Sequence, residues 1–146
     1  MVKIAPPIWA LAFVLASAAI AFALGWPAGL QSRPIGAFLL LLGLAPPIMA
    51  IILFRREGTE IQPDSQANKA LVTRGPYRFT RNPMYLGLVL VTLGLALWIG
   101  SWPMLLAPAL LFATVSFVHI PFEETKMRRQ FGEAFDAYAR TVRRWI

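Results

Sequence analysis

A chain of 146 residues is long enough for one domain, yet 58% of it is hydrophobic and only 14% is charged, against about a quarter charged in an ordinary globular domain. A soluble fold of this size leaves too much surface exposed to hide that apolar content, so soluble and disordered classes are poor fits and the solvent must be partly lipid. Zero cysteines and one histidine, His119, exclude disulfide frameworks and multi-histidine metal sites, and the net charge of +7 reads as attraction to anionic headgroups, with no nucleic-acid partner expected.

Four uncharged apolar stretches, residues 8–24, 35–54, 84–99 and 103–119, predict an all-α integral membrane bundle of four transmembrane helices. In lipid the backbone polar groups have only one another as partners, which an open sheet cannot satisfy. The first stretch follows Lys3 and shares features with a signal peptide, but its apolar run is long for one, so a retained helix is expected. Pro46-Pro47 should kink or break the second span. Asn82-Pro83 supplies an N-cap and a proline at the first helical position of the third. Ser101-Trp102-Pro103 starts the fourth after a tight turn, and Pro108 should bend it. Gly36 and Gly43, like Gly87 and Gly94, are seven apart and so share a helix face, where close packing is their expected use.

The tail differs in kind. Met127, Phe131, Phe135, Tyr138, Val142 and Trp145 recur at three- and four-residue steps among charged residues, which predicts a C-terminal amphipathic interfacial helix across 121–146. Glu124–Arg128 and Asp136–Arg140 should support it as i,i+4 pairs.

The basic residues set the orientation. Lys3, the loop 55–83 (Arg55, Arg56, Lys69, Arg74, Arg78, Arg81) and the tail (Lys126, Arg128, Arg129, Arg140, Arg143, Arg144) leave only Arg33 for the other connections. Both termini and the loop 55–83 are therefore expected in the cytoplasm of a multi-pass inner- or plasma-membrane protein. Trp26, Trp98 and Trp102 then mark the opposite interface, where an aromatic belt belongs.

Chemistry concentrates at the basic side. Arg74, Arg78 and Arg81 interleave with Tyr77 and Tyr85, and Gly75-Pro76 signals a turn. On spacing alone this is a patch for anionic membrane lipids. Glu123-Glu124 follow the fourth span on the same side; acids in a first helical turn complement its dipole, but paired acids beside a membrane should also have partners. His119, at the end of the fourth apolar stretch, reads first as an interfacial hydrogen-bonding residue.

The stretch RGPYRFTRNPMYLG from Arg74 to Gly87, followed by FEETKMRRQFGEAFDAYARTVRRW from Phe122 to Trp145, resembles the isoprenylcysteine carboxyl methyltransferase and phospholipid methyltransferase group. The resemblance runs from about residue 58 to 145 and implies a single membrane methyltransferase domain over 1–146 that uses S-adenosyl-L-methionine on a lipidic or amphipathic acceptor. It implies cofactor contacts at Gln62, Lys69, Ala70, Leu71, Val72, Tyr77, Asn82, Pro83, Met84 and Tyr85, with Glu123 as the acid that holds the cofactor. Arg81 or the helix start at Asn82 would meet its carboxylate, and His119 or Glu124 would serve as catalytic base toward an ammonium acceptor. Where the eukaryotic isoprenylcysteine enzymes carry a substrate-holding Arg this chain has His119, which counts against an isoprenylcysteine carboxylate. Two other readings stand beside this one: a non-catalytic four-helix protein binding anionic lipid or a partner, and a sterol-reductase-like NADPH enzyme, for which the chain is short. The oligomeric state is not written in these motifs.

Overall fold

The computed structural model describes residues 4–57 and 71–146, and among these the secondary structure is helical apart from one isolated bridge between Ala28 and Ser101. Helix α1 spans Pro6–Ala23, α2 Arg33–Glu57 and α3 Pro83–Ile99. A continuous helical run follows over Trp102–Phe131. It comprises a 3-10 turn (Trp102–Leu105), α4 (Leu106–Thr114), a π turn (Val115–His119) and α5 (Ile120–Phe131); α6 spans Glu133–Thr141.

Pro6–Ala23, Arg33–Leu53 and Trp102–Phe131 are long and apolar enough to cross a membrane, and Pro83–Ile99 is a shorter apolar helix of 17 residues. The outward faces bear this out: Phe22 is 75% exposed, Leu41 72% and Phe117 80%. Alanines and polar residues such as Ser17 and Thr92 lie inside. Many large apolar side chains outside, with alanines and polar groups sharing the interior with a few large residues such as Met104, Leu111 and Ile120, is the arrangement of a bundle solvated by lipid.

Helices α2 and α3 pack along a glycine seam. A Cβ placed on Gly36 would lie 2.8 Å from the Gly94 carbonyl oxygen, and one on Gly43 would lie 2.8 Å from that of Gly87. The expected close packing is thus present, with each pair meeting the other in antiparallel order. Pro46 and Pro47 do not break α2, which runs through them. Pro47 cannot donate to the Gly43 carbonyl four residues back, and that oxygen faces Gly87, while the Pro47 ring fills the space beside it. Pro108 falls in the first turn of α4, where a missing N–H matters least.

Two connections meet at one end. The Gly29 and Ser32 N–H groups donate to the Gly100 and Leu97 carbonyls at 2.8 and 3.0 Å, and the Ser101 hydroxyl donates to the Pro27 carbonyl at 3.0 Å. Exposed Trp26, Trp98 and Trp102 surround this end, and the loop 71–82 and tail lie at the other. Gly100 closes α3 at φ +79 with Gln31 packed where its Cβ would be. Gly100→Ala is expected to lower stability by at least about 1 kcal/mol through the left-handed backbone alone, seen as a lower unfolding temperature in detergent.

The tail departs from expectation. Gly132, at φ +52 and ψ −126, ends α5 and starts α6, and from Val142 the chain is no longer helical. The single helix predicted over 121–146 is therefore two helices and a non-helical end. The turn at Gly132 also changes the ion pairs: Arg128 meets Asp136 at 2.9 Å, and Glu124 meets Arg144 at 2.7 Å and Arg81 at 3.2 Å. The π turn was not foreseen either. Pro121 has no N–H for the Phe117 carbonyl, and the Ile120 N–H reaches five residues back to Val115.

Candidate active site

The turn Gly75–Arg78 docks the loop on α2: Gly75 has φ +60, and Leu53 occupies the position of its missing Cβ. The Tyr77 carbonyl accepts a 2.7 Å hydrogen bond from the Tyr138 hydroxyl, tying this turn to α6. Burial pushes the Tyr77 phenol upward in pKa, with the negative charge of Glu123 and then Tyr138 adding to the shift. Burial likewise pushes the Tyr138 phenol up to about 12. Both phenols are therefore neutral donors at physiological pH.

The loop then reaches α3. Asn82 stands at the N-cap position without capping through its side chain. Its amide group instead donates to the Arg144 carbonyl at 2.9 Å, and its N–H donates to the Thr80 hydroxyl at 3.1 Å. Thr80 in turn donates to the Arg144 carbonyl at 2.9 Å. The sequence predicted a side-chain cap here; the structure spends that side chain on the end of the tail.

Tyr85, in the first turn of α3, donates its hydroxyl to Oε1 of Glu123. This contact joins the two motifs, 38 residues apart in sequence. His119 closes the π turn; it is 1% exposed, its ring centroid is 6.2 Å from that of Tyr85, and its Nε2 has no partner. Ser116, on the same turn, also holds a buried hydroxyl without a partner. A polar atom left unpaired in such surroundings costs stability, so a polar guest there would be favoured.

Glu124 occupies a different environment from its neighbour. Arg144 grips it with Nε at 2.9 Å and NH2 at 2.7 Å, a two-pronged charge-assisted contact, and Arg81 NH1 stands 3.2 Å from Oε1. The hydrogen bond to Glu124 raises the Arg144 guanidinium further above its ordinary range. Arg81 forms an ion pair but no directed bond with that NH1, and its Nε is buried without a partner. Glu124→Ala would leave Arg81 and Arg144 facing each other. It is expected to cost about 3 kcal/mol, the size typical of a broken buried pair, and to lower the unfolding temperature more than Arg144→Ala, whose side chain is half exposed.

Among the other expected cofactor contacts, Pro83 is buried, Met84 half-buried, and Leu71 and Val72 half-buried just before the turn. Gln62, Lys69 and Ala70 lie outside the described residues. The opposite face of α5 borders an open groove of about 640 Å³ lined by Pro121, Phe122, Thr125, Lys126, Arg129 and Gln130. That groove shares no residue with the Tyr85–Glu123 contact.

Several participants were not foreseen from sequence: Thr80, Tyr138, Arg144 and the main-chain carbonyls of Arg143 and Arg144. The signal available for them was slight, because Arg143-Arg144-Trp145 reads as the last turn of the amphipathic pattern and a carbonyl has no residue-type signature.

An uncharacterized protein of Haemophilus influenzae is 33% identical over 63 residues, which is 43% of this chain and the whole of that protein. No solved structure matches. The phospholipid methyltransferase family matches residues 32–134, a stretch that holds α2, the loop, α3, the π turn and both glutamates. With most of its length matched and the two motifs of that stretch in contact at one end of a helical membrane bundle, the chain belongs to the phospholipid methyltransferase family.

Proposed function

We propose that this protein is an integral-membrane methyltransferase that transfers a methyl group from S-adenosyl-L-methionine to a lipidic or amphipathic acceptor. The reading takes α1, α2, α3 and the run from Trp102 as four spans of one domain, with both termini and the loop 55–83 on the cytoplasmic side of the inner or plasma membrane. The observation that carries it is the contact of Tyr85 with Glu123, beside the buried unpaired atoms of His119 and Arg81.

The donor set suits such a cofactor. Arg81 Nε and the first N–H groups of α3 would hold its carboxylate. Glu123 would accept from its amino or ribose hydroxyl groups, and the faces of Tyr77 and Tyr85 would favour a cationic sulfur. When bound, S-adenosyl-L-methionine supplies a methyl group already activated for in-line displacement, a reaction helped by alignment and by excluding water. The apolar packing around Tyr85, with Leu111, Val115 and Ile120, provides that dry side.

His119 and Glu124 separate in role. Glu124 is committed to two arginines, whereas His119 Nε2 is the polar atom free to meet an acceptor or take a proton from an ammonium group. His119→Ala is expected to reduce amine methylation roughly a hundredfold, the usual scale for a general base, while leaving S-adenosylhomocysteine binding intact.

The reading is tested by calorimetric titration of the detergent-solubilised protein with S-adenosylhomocysteine and, separately, with NADPH. Saturable binding of the first and none of the second is expected. Binding of NADPH alone would favour a reductase, and binding of neither a lipid-binding scaffold. Incubating a membrane-lipid extract with methyl-labelled cofactor would then name the acceptor.

A further inference from the structure

The non-helical segment 142–146 returns across the site after α6, and contacts of three kinds hold it there. The Arg143 carbonyl accepts the Arg81 N–H at 2.9 Å, and the Arg144 carbonyl accepts both the Thr80 hydroxyl and the Asn82 amide group at 2.9 Å. The Arg144 side chain grips Glu124 with two nitrogens. Trp145 then stacks on Phe112 of α4 at a centroid distance of 4.7 Å and reaches the core cluster that contains Tyr85. One segment thus fastens the loop before α3 with its backbone, the start of α5 with its guanidinium, and α4 with its indole.

We infer that segment 142–146 is a strap that sets the geometry between the Arg81-Asn82 loop and the Glu123-Glu124 turn, with Arg144 as its positioning residue. It rests on the reading that these two stretches hold the cofactor. The physical reason is that residues 80–82 have no regular secondary structure of their own. Their donors are satisfied in part by carbonyls 62 or more residues later in the chain, so the orientation of Arg81 and of the α3 start follows the strap. Arg144 fixes the strap because its planar fork matches both carboxylate oxygens of Glu124, a fit that a lysine point charge lacks.

Three variants of the full chain test this: Arg144→Ala, Arg144→Lys and Arg143→Ala. Arg143 contributes only its carbonyl to the contacts above, which alanine keeps. Three readouts apply: S-adenosylhomocysteine affinity, steady-state kinetics with the cofactor, and amide hydrogen exchange in peptides covering 79–86, with peptides in α2 as the folding reference. Arg144→Ala should weaken binding roughly tenfold and raise the KM for the cofactor more than it lowers kcat. Exchange over 79–86 should speed up while α2 stays protected. Arg144→Lys should recover part of both losses, and Arg143→Ala should behave as wild type. Unchanged exchange over 79–86 in Arg144→Ala, or an equal loss in Arg143→Ala, would overturn the strap. If wild-type protein bound no S-adenosylhomocysteine, the cofactor reading would fail instead, and the exchange comparison would still decide the strap.

Discussion

Glu123→Gln is expected to weaken S-adenosylhomocysteine binding and cut kcat/KM for the cofactor by about a hundredfold, the most that a lost charge-assisted hydrogen bond of about 1.5–3 kcal/mol would remove. The substitution keeps the shape of the side chain, and Tyr85 can still donate to the amide oxygen, so the fold should survive. What goes is the negative charge in a half-buried position between Tyr85 and Tyr77. Tyr85→Phe removes a donor without removing that charge and is expected to cost about tenfold. Calorimetry on both variants should find Glu123→Gln the weaker binder, and wild-type affinity in Glu123→Gln would assign the carboxylate no part in holding the cofactor.

The second large effect lies away from the chemistry. Gly87→Leu is expected to prevent stable folding. A Cβ at Gly87 would overlap the Gly43 carbonyl oxygen and the Pro47 ring, and neither belongs to a flexible side chain. Overpacking of an ordinary core costs about 1–3 kcal/mol, and here the obstacle is backbone on a helix that two prolines already constrain. Gly132→Ala serves as the comparison. Nothing lies within 4 Å of its Cβ position, so only the backbone at φ +52 and ψ −126 is strained, at about 1–3 kcal/mol. Thermal unfolding and size-exclusion profiles in detergent should show aggregated or absent protein for Gly87→Leu and a modest shift for Gly132→Ala.

The two sets of predictions reflect what the residues disclosed and what they did not. Gly36, Gly43, Gly87 and Gly94 were legible because seven residues is close to two helical turns, which puts each pair on one face. Their pairing across α2 and α3 needed coordinates. The family was legible because its two motifs carry unusual residue combinations, Arg-Asn-Pro-x-Tyr and Glu-Glu, and the charge distribution placed both on one side of the membrane. The tail was misread for a definite reason. Its apolar spacing is helical from Met127 to Trp145, but Gly132 adopts a backbone conformation costly for other residues, and that turn carries Arg128 to Asp136 and Arg144 to Glu124. Asn82 was misread for a related one: it has the residue type of a cap and the position of a cap, but its amide nitrogen donates to a distant carbonyl, and the side chain held that way makes no bond to the local N–H groups. The π turn follows from Pro121, whose effect falls on the turn before it, where the sequence shows only apolar residues, Ser116 and His119.

In the proposed function the stretch around Tyr85 and the stretch around Glu123 bind one nucleoside-sized molecule between them. Ultraviolet cross-linking of labelled S-adenosyl-L-methionine to the detergent-solubilised protein, followed by peptide mapping, tests it most directly. Label is expected on peptides covering 77–85 and 119–124, and is expected to be lost when excess S-adenosylhomocysteine competes. Label confined to one of the two stretches, or on the face of α5 around Lys126 and Arg129, would contradict it.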